Sequence, residues 1–283
     1  MADKKIKDPS ANKEAKNGAL KRGLLIALVA VCLVIFLFSG YKLANSVRSY
    51  RESREAYDSL SGKVTATAAP SSLPDPEVSA DPDVIEYPPK EVDFDKLNDI
   101  NKDIIGWLYS ENTVIDYPVL IGEDNDDYIY TLYDGTYNAG GSLFANCLNQ
   151  KDFSSRNTII YGHNMLDGSM FRSLTSYKDS KYYNEHKTLY LMTPDQDYKL
   201  VVFSAYITDY DSDAYTITFN DDNAFRSYLD KCSGNSLVET GVSVGVKDNI
   251  VTLSTCTYEY NDARFVVQCK LVPIGDKGLG NDK

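Results

Sequence analysis

An uninterrupted apolar run of 15 residues, from Leu24 to Phe38, is the segment that most constrains how this chain can fold. With Gly23 and residues 39–44 it reaches the ~20 residues that a helix needs to cross a bilayer, and Lys42 can extend its amine toward the lipid headgroups. Residues 1–22 carry seven Lys or Arg against three Asp or Glu, so the positive-inside rule predicts that this basic segment is cytoplasmic. We therefore predict a single-pass anchor in the cell membrane at residues 23–44, with the rest of the chain outside the cell.

The segments after the anchor differ from one another in composition. Residues 45–60 are polar and compatible with a stalk helix, and residues 61–92 hold six of the ten prolines, which is typical of an extended linker. A globular domain is predicted over residues 93–275, followed by a tail at residues 276–283. A cleaved signal peptide is the alternative to the anchor, but no convincing small-residue cleavage site follows Phe38.

Many short strands with a few helices between them predict a mostly β fold, a closed or nearly closed β-barrel with peripheral helices. An amphipathic helix opens the domain, because apolar residues recur there at helical spacing (Phe94, Leu97, Ile100, Ile104). Eight strands are predicted at Trp107–Ser110, Val114–Leu120, Ser142–Cys147, Thr158–Gly162, Thr188–Met192, Lys199–Thr208, Asn249–Thr255 and Phe265–Pro273. Further helices are predicted at Asn125–Thr131, Met170–Tyr177 and Asp222–Cys232.

Composition excludes several function classes. The net charge is −12 and no basic patch follows the N-terminus, so we expect no nucleic-acid partner. The five cysteines include no CxxC pair and no metal-ligand spacing, and their odd number does not suggest a disulfide framework. We therefore expect no metal and no cofactor.

One cysteine and one arginine share a predicted strand–loop–strand segment. The run Thr252-Leu253-Ser254-Thr255-Cys256 ends at the cysteine, and Arg264 opens the next predicted strand after a seven-residue loop. If the two strands pair, which brings them ~5 Å apart, the two side chains face each other across one mouth. A guanidinium beside a thiol favours the thiolate and can hold an oxyanion. Taken alone, Cys256 could equally be a buried packing residue.

Two histidines could supply the base that such a thiol needs. His163 follows the apolar strand Thr158–Gly162, whereas His186 lies in a polar run that is typical of a solvated loop. A histidine at a strand end is the better candidate, because reactive groups concentrate where a rigid scaffold ends. A turn residue bonded to backbone is the structural alternative for His163.

These motifs together resemble the sortases, membrane-anchored cysteine transpeptidases of Gram-positive cell surfaces. The resemblance covers roughly residues 93–274 and is closer to the class B branch. It is carried by Tyr161-Gly162-His163-Asn164-Met165, Thr252–Cys256 and Arg264, with support from Ile105–Leu108, Val114–Val119, Gly141–Phe144 and Asp167–Phe171.

The resemblance implies an eight-stranded sortase-type barrel with an N-terminal helix, and a two-step acyl transfer. Cys256 is then the nucleophile that cleaves a C-terminal sorting signal after Thr, and His163 is the acid and base. Arg264 holds the oxyanion or the substrate backbone. The implied partners are surface proteins that carry the sorting signal and a peptidoglycan precursor or other cell-wall amine. Substrate contacts are implied for Asn125, Ile129 and Ser254.

Two other functions stay open from the sequence. An extracytoplasmic cysteine protease that only hydrolyses would use the same nucleophile and base. A non-catalytic surface-binding module on a membrane stalk would use neither. The fate of the acyl group and the need for Cys256 distinguish the three.

Overall fold

A computed structural model describes residues 9–67 and 86–275, with side chains from residue 23 onward. The described residues divide into two compact units, one ending at Arg48 and the other beginning at Ser49. In chain order the elements are α1 (Pro9–Val64), β1 (Thr65–Thr67), β2 (Lys90–Val92), α2 (Phe94–Ile100), β3 (Ile104–Tyr109), β4 (Asp116–Leu120), β5 (Leu143–Ala145), β6 (Asn157–Tyr161), α3 (Ser180–Glu185), β7 (Thr188–Met192), β8 (Asp197–Asp209), α4 (Asp222–Asn235), β9 (Ile250–Cys256) and β10 (Ala263–Ile274). Two 3₁₀ helices occupy Arg172–Lys178 and Asp213–Tyr215.

Helix α1 contains the one candidate membrane span among the described residues. The helix Gly23–Val64 is long and apolar enough to cross a bilayer, and its most apolar stretch is not buried. Leu24, Phe36 and the apolar residues between them are exposed. Exposed apolar surface of this size is typical of a helix that lies in lipid, so its length and composition fit the predicted anchor.

Eight strands close into a barrel in the order β10-β8-β7-β3-β4-β5-β6-β9. Neighbouring strands are antiparallel except for the parallel pairs β4–β5 and β6–β9. The predicted eight-stranded barrel and its N-terminal helix, α2, are therefore confirmed, with strand ends shifted by up to three residues. Ile104, predicted as the last apolar residue of the helix, instead begins β3.

Side chains alternate between the two faces of the barrel wall, as strand geometry requires. Every barrel strand contributes to one core cluster inside the barrel, for example Leu253 from β9 and Phe265 from β10. The adjacent residue, Val266, points outward and packs with Phe225 of α4. Each position on β9 and β10 can therefore be assigned to the inner or the outer face.

The helix predicted at Asn125–Thr131 is wrong, because the structure has turns there. Asp127 Oδ2 accepts the N–H of Glu123 at 2.8 Å, and Asp124 Oδ1 accepts the N–H of Asp126 at 2.8 Å and of Asp127 at 3.1 Å. These side chains satisfy the backbone donors locally and compete with a helix. The predicted helix at Met170–Tyr177 is a 3₁₀ helix, whereas α4 is confirmed and extends to Asn235.

The end of α1 packs against the barrel rather than forming only a stalk. Tyr57, Leu60 and Val64 are buried in clusters that include barrel residues. The Tyr57 hydroxyl donates to the Gly141 carbonyl at 2.7 Å. Within the predicted linker, β1 and β2 pair as an antiparallel ribbon, while residues 68–85 and the predicted tail lie outside the described residues.

Candidate active site

Strands β6, β9 and β10 meet at one mouth of the barrel, and the three predicted catalytic residues lie there. Cys256, the last residue of β9, is the register partner of Arg264 on β10. Because Arg264 is two residues before the outward-pointing Val266, the Cys256–Arg264 pair also belongs to the outer face. The structure thus brings Cys256 and Arg264 together across the hairpin.

His163 lies level with this pair on the other side of β9. In the parallel β6–β9 ladder, Tyr161 is the register partner of Ser254. Two residues onward along the two strands are His163 and Cys256, and hydrogen bonds from Thr255 Oγ1 to the Gly162 carbonyl and from Asn164 Nδ2 to the Cys256 carbonyl hold the two segments side by side there. Three chain segments that are neighbours in the sheet therefore carry histidine, cysteine and arginine at one height.

Two glycines allow the backbone around the histidine to pack closely. A Cβ at Gly162 would collide with the side chains of Leu143 and Phe171, so only glycine fits directly before His163. Gly141 has a φ of 53°, and a Cβ there would collide with the Ile129 carbonyl oxygen. Glycine at this second position lets the Ile129 carbonyl sit where it meets the histidine.

The imidazole of His163 is held by backbone and by an aromatic ring. Its Nε2 lies 2.7 Å from the Ile129 carbonyl oxygen, and its ring stacks on Tyr130 with centroids 5.7 Å apart. A carbonyl oxygen can only accept a hydrogen bond, so Nε2 carries the proton. In the neutral ring the unprotonated nitrogen is therefore Nδ1, which is free to accept a proton.

The Arg264 guanidinium is oriented by its own hairpin. Its Nη1 donates to the carbonyls of Asp262 and Ala263, at 3.1 and 3.2 Å. Asp262, the last residue of the β9–β10 loop, takes a φ of 60°, a left-handed conformation. The turn thereby sets the arginine across from Cys256.

A polar and aromatic surface extends from Cys256 along the outer face. Tyr215 hydrogen-bonds Ser254 at 2.9 Å between hydroxyl oxygens and stacks on Tyr161 with centroids 6.1 Å apart. Burial raises the pKa of Tyr215 to about 12, while the Ser254 hydrogen bond and the positive charge of Arg264 act in the opposite direction. Burial likewise raises the pKa of Tyr161, against the same Arg264 charge. These hydroxyls stay neutral at physiological pH beside the cysteine and the arginine.

The structure also locates the three residues predicted to contact substrate. Ser254 lies on this outer face, and Ile129 contacts His163 through its carbonyl. The Oδ1 of Asn125 accepts the N–H of Cys147 at 2.9 Å. Sequence reasoning missed Tyr215, in the 3₁₀ helix Asp213–Tyr215, and Asn164, in the loop after β6, whose side chains both reach β9.

Other candidate groups lie away from this mouth. His186 ends α3 and packs on Tyr182 with ring centroids 4.3 Å apart. Cys232 and Cys269 are buried, and burial raises the pKa of both thiols. Among the residues that the structure describes from 23 to 67 and from 86 to 275, no group of three or more His, Cys, Asp or Glu could hold a metal ion.

Comparisons with known proteins agree with this geometry. The family model described as "Sortase domain" matches residues 111–272. The chain is 35% identical over 251 residues to sortase B of Listeria monocytogenes, which covers 87% of this chain and 96% of that protein. It is 31% identical over 257 residues to sortase B of Staphylococcus aureus, covering 90% of this chain and 99% of that protein.

Among solved structures, the sortase B–substrate complex of Staphylococcus aureus superimposes with a TM-score of 0.62 at 35% identity, covering 65% of this chain and 86% of that one. The matched family model spans more than half of the sequence, and both sortase B relatives match over nearly their full length. The chain therefore belongs to the sortase family and is similar to its class B members.

Proposed function

We propose that this protein is a membrane-anchored transpeptidase that cleaves a C-terminal sorting signal after Thr and joins the shortened protein to a cell-wall amine. The observation that supports the proposal is that Cys256 lies opposite Arg264 on β10, while both chain neighbours of His163 are hydrogen-bonded to the end of β9. A nucleophile, a proton carrier and a fixed cation at one mouth are the parts that acyl transfer needs.

The first step forms a thioester. The sulfur of Cys256 bonds to the carbonyl carbon of the Thr–X peptide, and His163 donates a proton to the departing amine nitrogen as the C–N bond breaks. The acyl group remains on the enzyme, and the leaving peptide carries the proton away. Splitting the reaction in this way replaces one difficult displacement with two easier ones.

The second step transfers the acyl group. The nitrogen of the incoming amine attacks the thioester carbon, His163 takes a proton from that nitrogen, and the carbon–sulfur bond breaks to regenerate the thiolate. Water in place of the amine gives hydrolysis. The choice between these two nucleophiles separates the transpeptidase from the hydrolytic alternative.

Arg264 is assigned to the charge that develops on the carbonyl oxygen. Its bonds to the Asp262 and Ala263 carbonyls orient the guanidinium in advance. Charge stabilisation of this kind is most effective when the donor needs no reorganisation during the reaction.

The acyl donor is proposed to lie along the outer face beside Cys256. Ser254, Tyr161 and Tyr215 form this surface, and Asn125 and Ile129 belong to the segment that borders His163. Similarity to the Staphylococcus aureus sortase B–substrate complex supports substrate binding by this fold. Neutral hydroxyls and aromatic rings are suited to an extended uncharged peptide.

The proposed membrane arrangement concerns the N-terminal segments. We assign residues 1–22 to the cytoplasm, residues 23–44 to the membrane span and the barrel to the outer surface. The apolar, exposed helix supports an anchor, and the basic flank supports its direction. This topology places Cys256 on the side where surface proteins and wall precursors meet.

The decisive experiment uses the full chain in detergent with a peptide library and an added amine, such as a glycine oligomer or a diaminopimelate-type peptide. Mass spectrometry is expected to show cleavage after Thr and an amide product that grows with amine concentration. Cys256→Ala is expected to abolish both products, whereas Cys147→Ala, which removes the other partly exposed thiol of the barrel unit, leaves them intact.

Each alternative predicts a different outcome. An acid product that the amine never diverts would identify a protease that only hydrolyses. No product from wild type would favour a non-catalytic binding module, and full product formation by Cys256→Ala would show that Cys256 is not the nucleophile; either result would overturn the proposal.

A further inference from the structure

The parallel ladder that joins the histidine segment to the cysteine strand ends before it reaches either reactive residue. Its last register pair is Tyr161 with Ser254, and its last backbone bond runs from the Gly162 N–H to the Ser254 carbonyl at 3.1 Å. His163 and Cys256 both lie beyond that bond. Backbone pairing alone therefore does not hold these two residues at one height.

Two side chains continue the connection past the end of the ladder. The Thr255 hydroxyl donates to the Gly162 carbonyl at 2.8 Å, and the Asn164 amide donates through Nδ2 to the Cys256 carbonyl at 2.7 Å. Gly162 and Asn164 are the two neighbours of His163 in the chain. The histidine backbone is thus tied to β9 on both sides.

Arg172 determines which way the Asn164 amide points. Its Nη1 lies 2.9 Å from Asn164 Oδ1, and a guanidinium can only donate, so the amide oxygen must face the arginine. The amide nitrogen then faces the Cys256 carbonyl. Asn164 is buried, so loss of this bond would leave a carbonyl without its partner in a place that water reaches poorly.

Backbone bonds anchor the arginine end of this connection to the same loop. The Phe171 N–H donates to the His163 carbonyl at 2.9 Å, and Asn164 and Met170 form an isolated antiparallel bridge. Arg172 begins the 3₁₀ helix directly afterwards. The loop after His163 therefore folds back so that its own arginine orients the asparagine beside the histidine.

We propose that Asn164, oriented by Arg172, is a positioning residue that keeps His163 level with Cys256 during acyl transfer. The inference rests on the function proposed above and adds to it a residue that touches neither the acyl donor nor the acceptor. Displacement of a reacting group by about 1 Å can cost on the order of 10² in rate. Loss of the Asn164 hydrogen bond is therefore expected to lower turnover more than substrate binding.

The test compares Asn164→Ala with a matched control in the full chain. Asn149 is also buried, and its amide bonds the Asn157 carbonyl at 2.8 Å and the Ile159 N–H at 3.0 Å, at the far end of β6. Asn164→Ala is expected to lower kcat by about 10- to 100-fold with KM changed less than about twofold. Asn149→Ala is expected to lower thermal stability similarly and to leave kcat per folded molecule unchanged.

Arg172→Met gives a second measurement at an exposed side chain, which keeps the test decisive if Asn164→Ala folds poorly. It is expected to lower kcat without a large loss of thermal stability, and the double variant is expected to be no slower than Asn164→Ala alone. Unchanged kcat in Asn164→Ala or Arg172→Met, additive losses in the double variant, or an equal kcat loss in Asn149→Ala would each overturn the proposal. Failure of the proposed function looks different, because wild type would then make no product or Cys256→Ala would still make it.

Discussion

Arg264 shows why the identity of a single side chain matters at the candidate site. Its planar guanidinium offers several donors in a fixed plane. One of them, Nη1, already donates to the two backbone carbonyls that directly precede Arg264 in the chain. A lysine at this position would present a single mobile ammonium group. The geometry therefore predicts a specific need for arginine rather than for positive charge alone.

We expect Arg264→Ala to lower kcat by on the order of 10², as for loss of one oxyanion donor, and Arg264→Lys to recover only part of that loss. The measurement is transpeptidation kinetics with a peptide that wild type cleaves. Arg226→Ala is the matched control, because Arg226 is an exposed arginine of α4, and its kcat should stay within about twofold of wild type. Wild-type kcat in Arg264→Ala would contradict the role assigned to this residue.

The contact between His163 and Ile129 makes a prediction about proton position. Since Nε2 donates to a carbonyl at 2.7 Å, the neutral ring should be the Nε2–H tautomer with Nδ1 unprotonated. Nitrogen-15 NMR of the two ring nitrogens, at a pH where the ring is neutral, distinguishes the tautomers directly. His186 serves as an internal comparison, and an Nδ1–H signal for His163 would refute the assignment.

The sequence singled out Cys256, Arg264 and His163 because each follows or begins an apolar strand, and the family resemblance joined them into one site. Tyr215 could not be found in this way, since a 3₁₀ helix between β8 and α4 carries it to Ser254 on β9. Asn164 directly follows the histidine in the sequence, but nothing in the sequence indicates that it bonds the Cys256 carbonyl. Its hydrogen bond depends on the parallel pairing of β6 with β9, which no local pattern indicates.

At the scale of elements, the end of α1 is part of the barrel's support. Tyr57 packs edge-on against Tyr117 of β4, with ring centroids 5.0 Å apart, and Leu60 and Val64 join a cluster that includes Trp107. The spacing of these three residues on one helix face is a sequence signal that a polar stalk does not explain. Because charged residues lie between these three apolar positions, the segment has the overall composition of a polar stalk.

We expect Leu60→Ala to lower the free energy of unfolding by about 2–5 kcal/mol, because Leu60 is 1% exposed and its loss opens a cavity. Urea denaturation of the full chain in detergent, followed by aromatic fluorescence, gives the value. Ser59→Ala, on the exposed side of the same turn, should change it by less than about 0.5 kcal/mol. Equal values for the two variants would mean that this end of α1 does not stabilise the barrel.

At residues 125–131, by contrast, the sequence predicts a helix where the structure has turns. Acidic residues are favourable at the start of a helix, but here Asp124 and Asp127 bond the N–H groups of their own segment instead. Helix propensity alone does not tell whether such carboxylates stabilise the start of a helix or bond the backbone of a turn. The resulting turn brings the Ile129 carbonyl to His163, at 2.7 Å from Nε2.

For the whole molecule, an unusually large set of tyrosines shapes the response to pH. The sequence contains 22, and within the described residues Tyr57, Tyr177, Tyr206 and Tyr228 are buried in the core. Burial raises the pKa of all four above the ordinary value of 10.0. Their phenols therefore keep their protons in the folded protein at pH values where an unfolded chain would release them.

This difference sets the sign of the alkaline response. Above about pH 10 the folded state binds more protons than the unfolded state, so the free energy of unfolding must fall as pH rises, by about 1.4 kcal/mol per pH unit for each tyrosine. The stabilisation is fully present below pH 10 and is lost as the pH climbs toward the folded-state pKa values. We expect urea midpoints to be nearly constant from pH 8 to pH 9 and to drop steeply by pH 11.

Tyr206→Phe should reduce the slope of the free energy of unfolding against pH by the contribution of one tyrosine. It removes a hydroxyl that lies 3.7 Å from Cys232 Sγ and is buried with it. A midpoint that stays flat to pH 11, or a Tyr206→Phe slope equal to that of wild type, would show that these phenols ionise without unfolding the barrel.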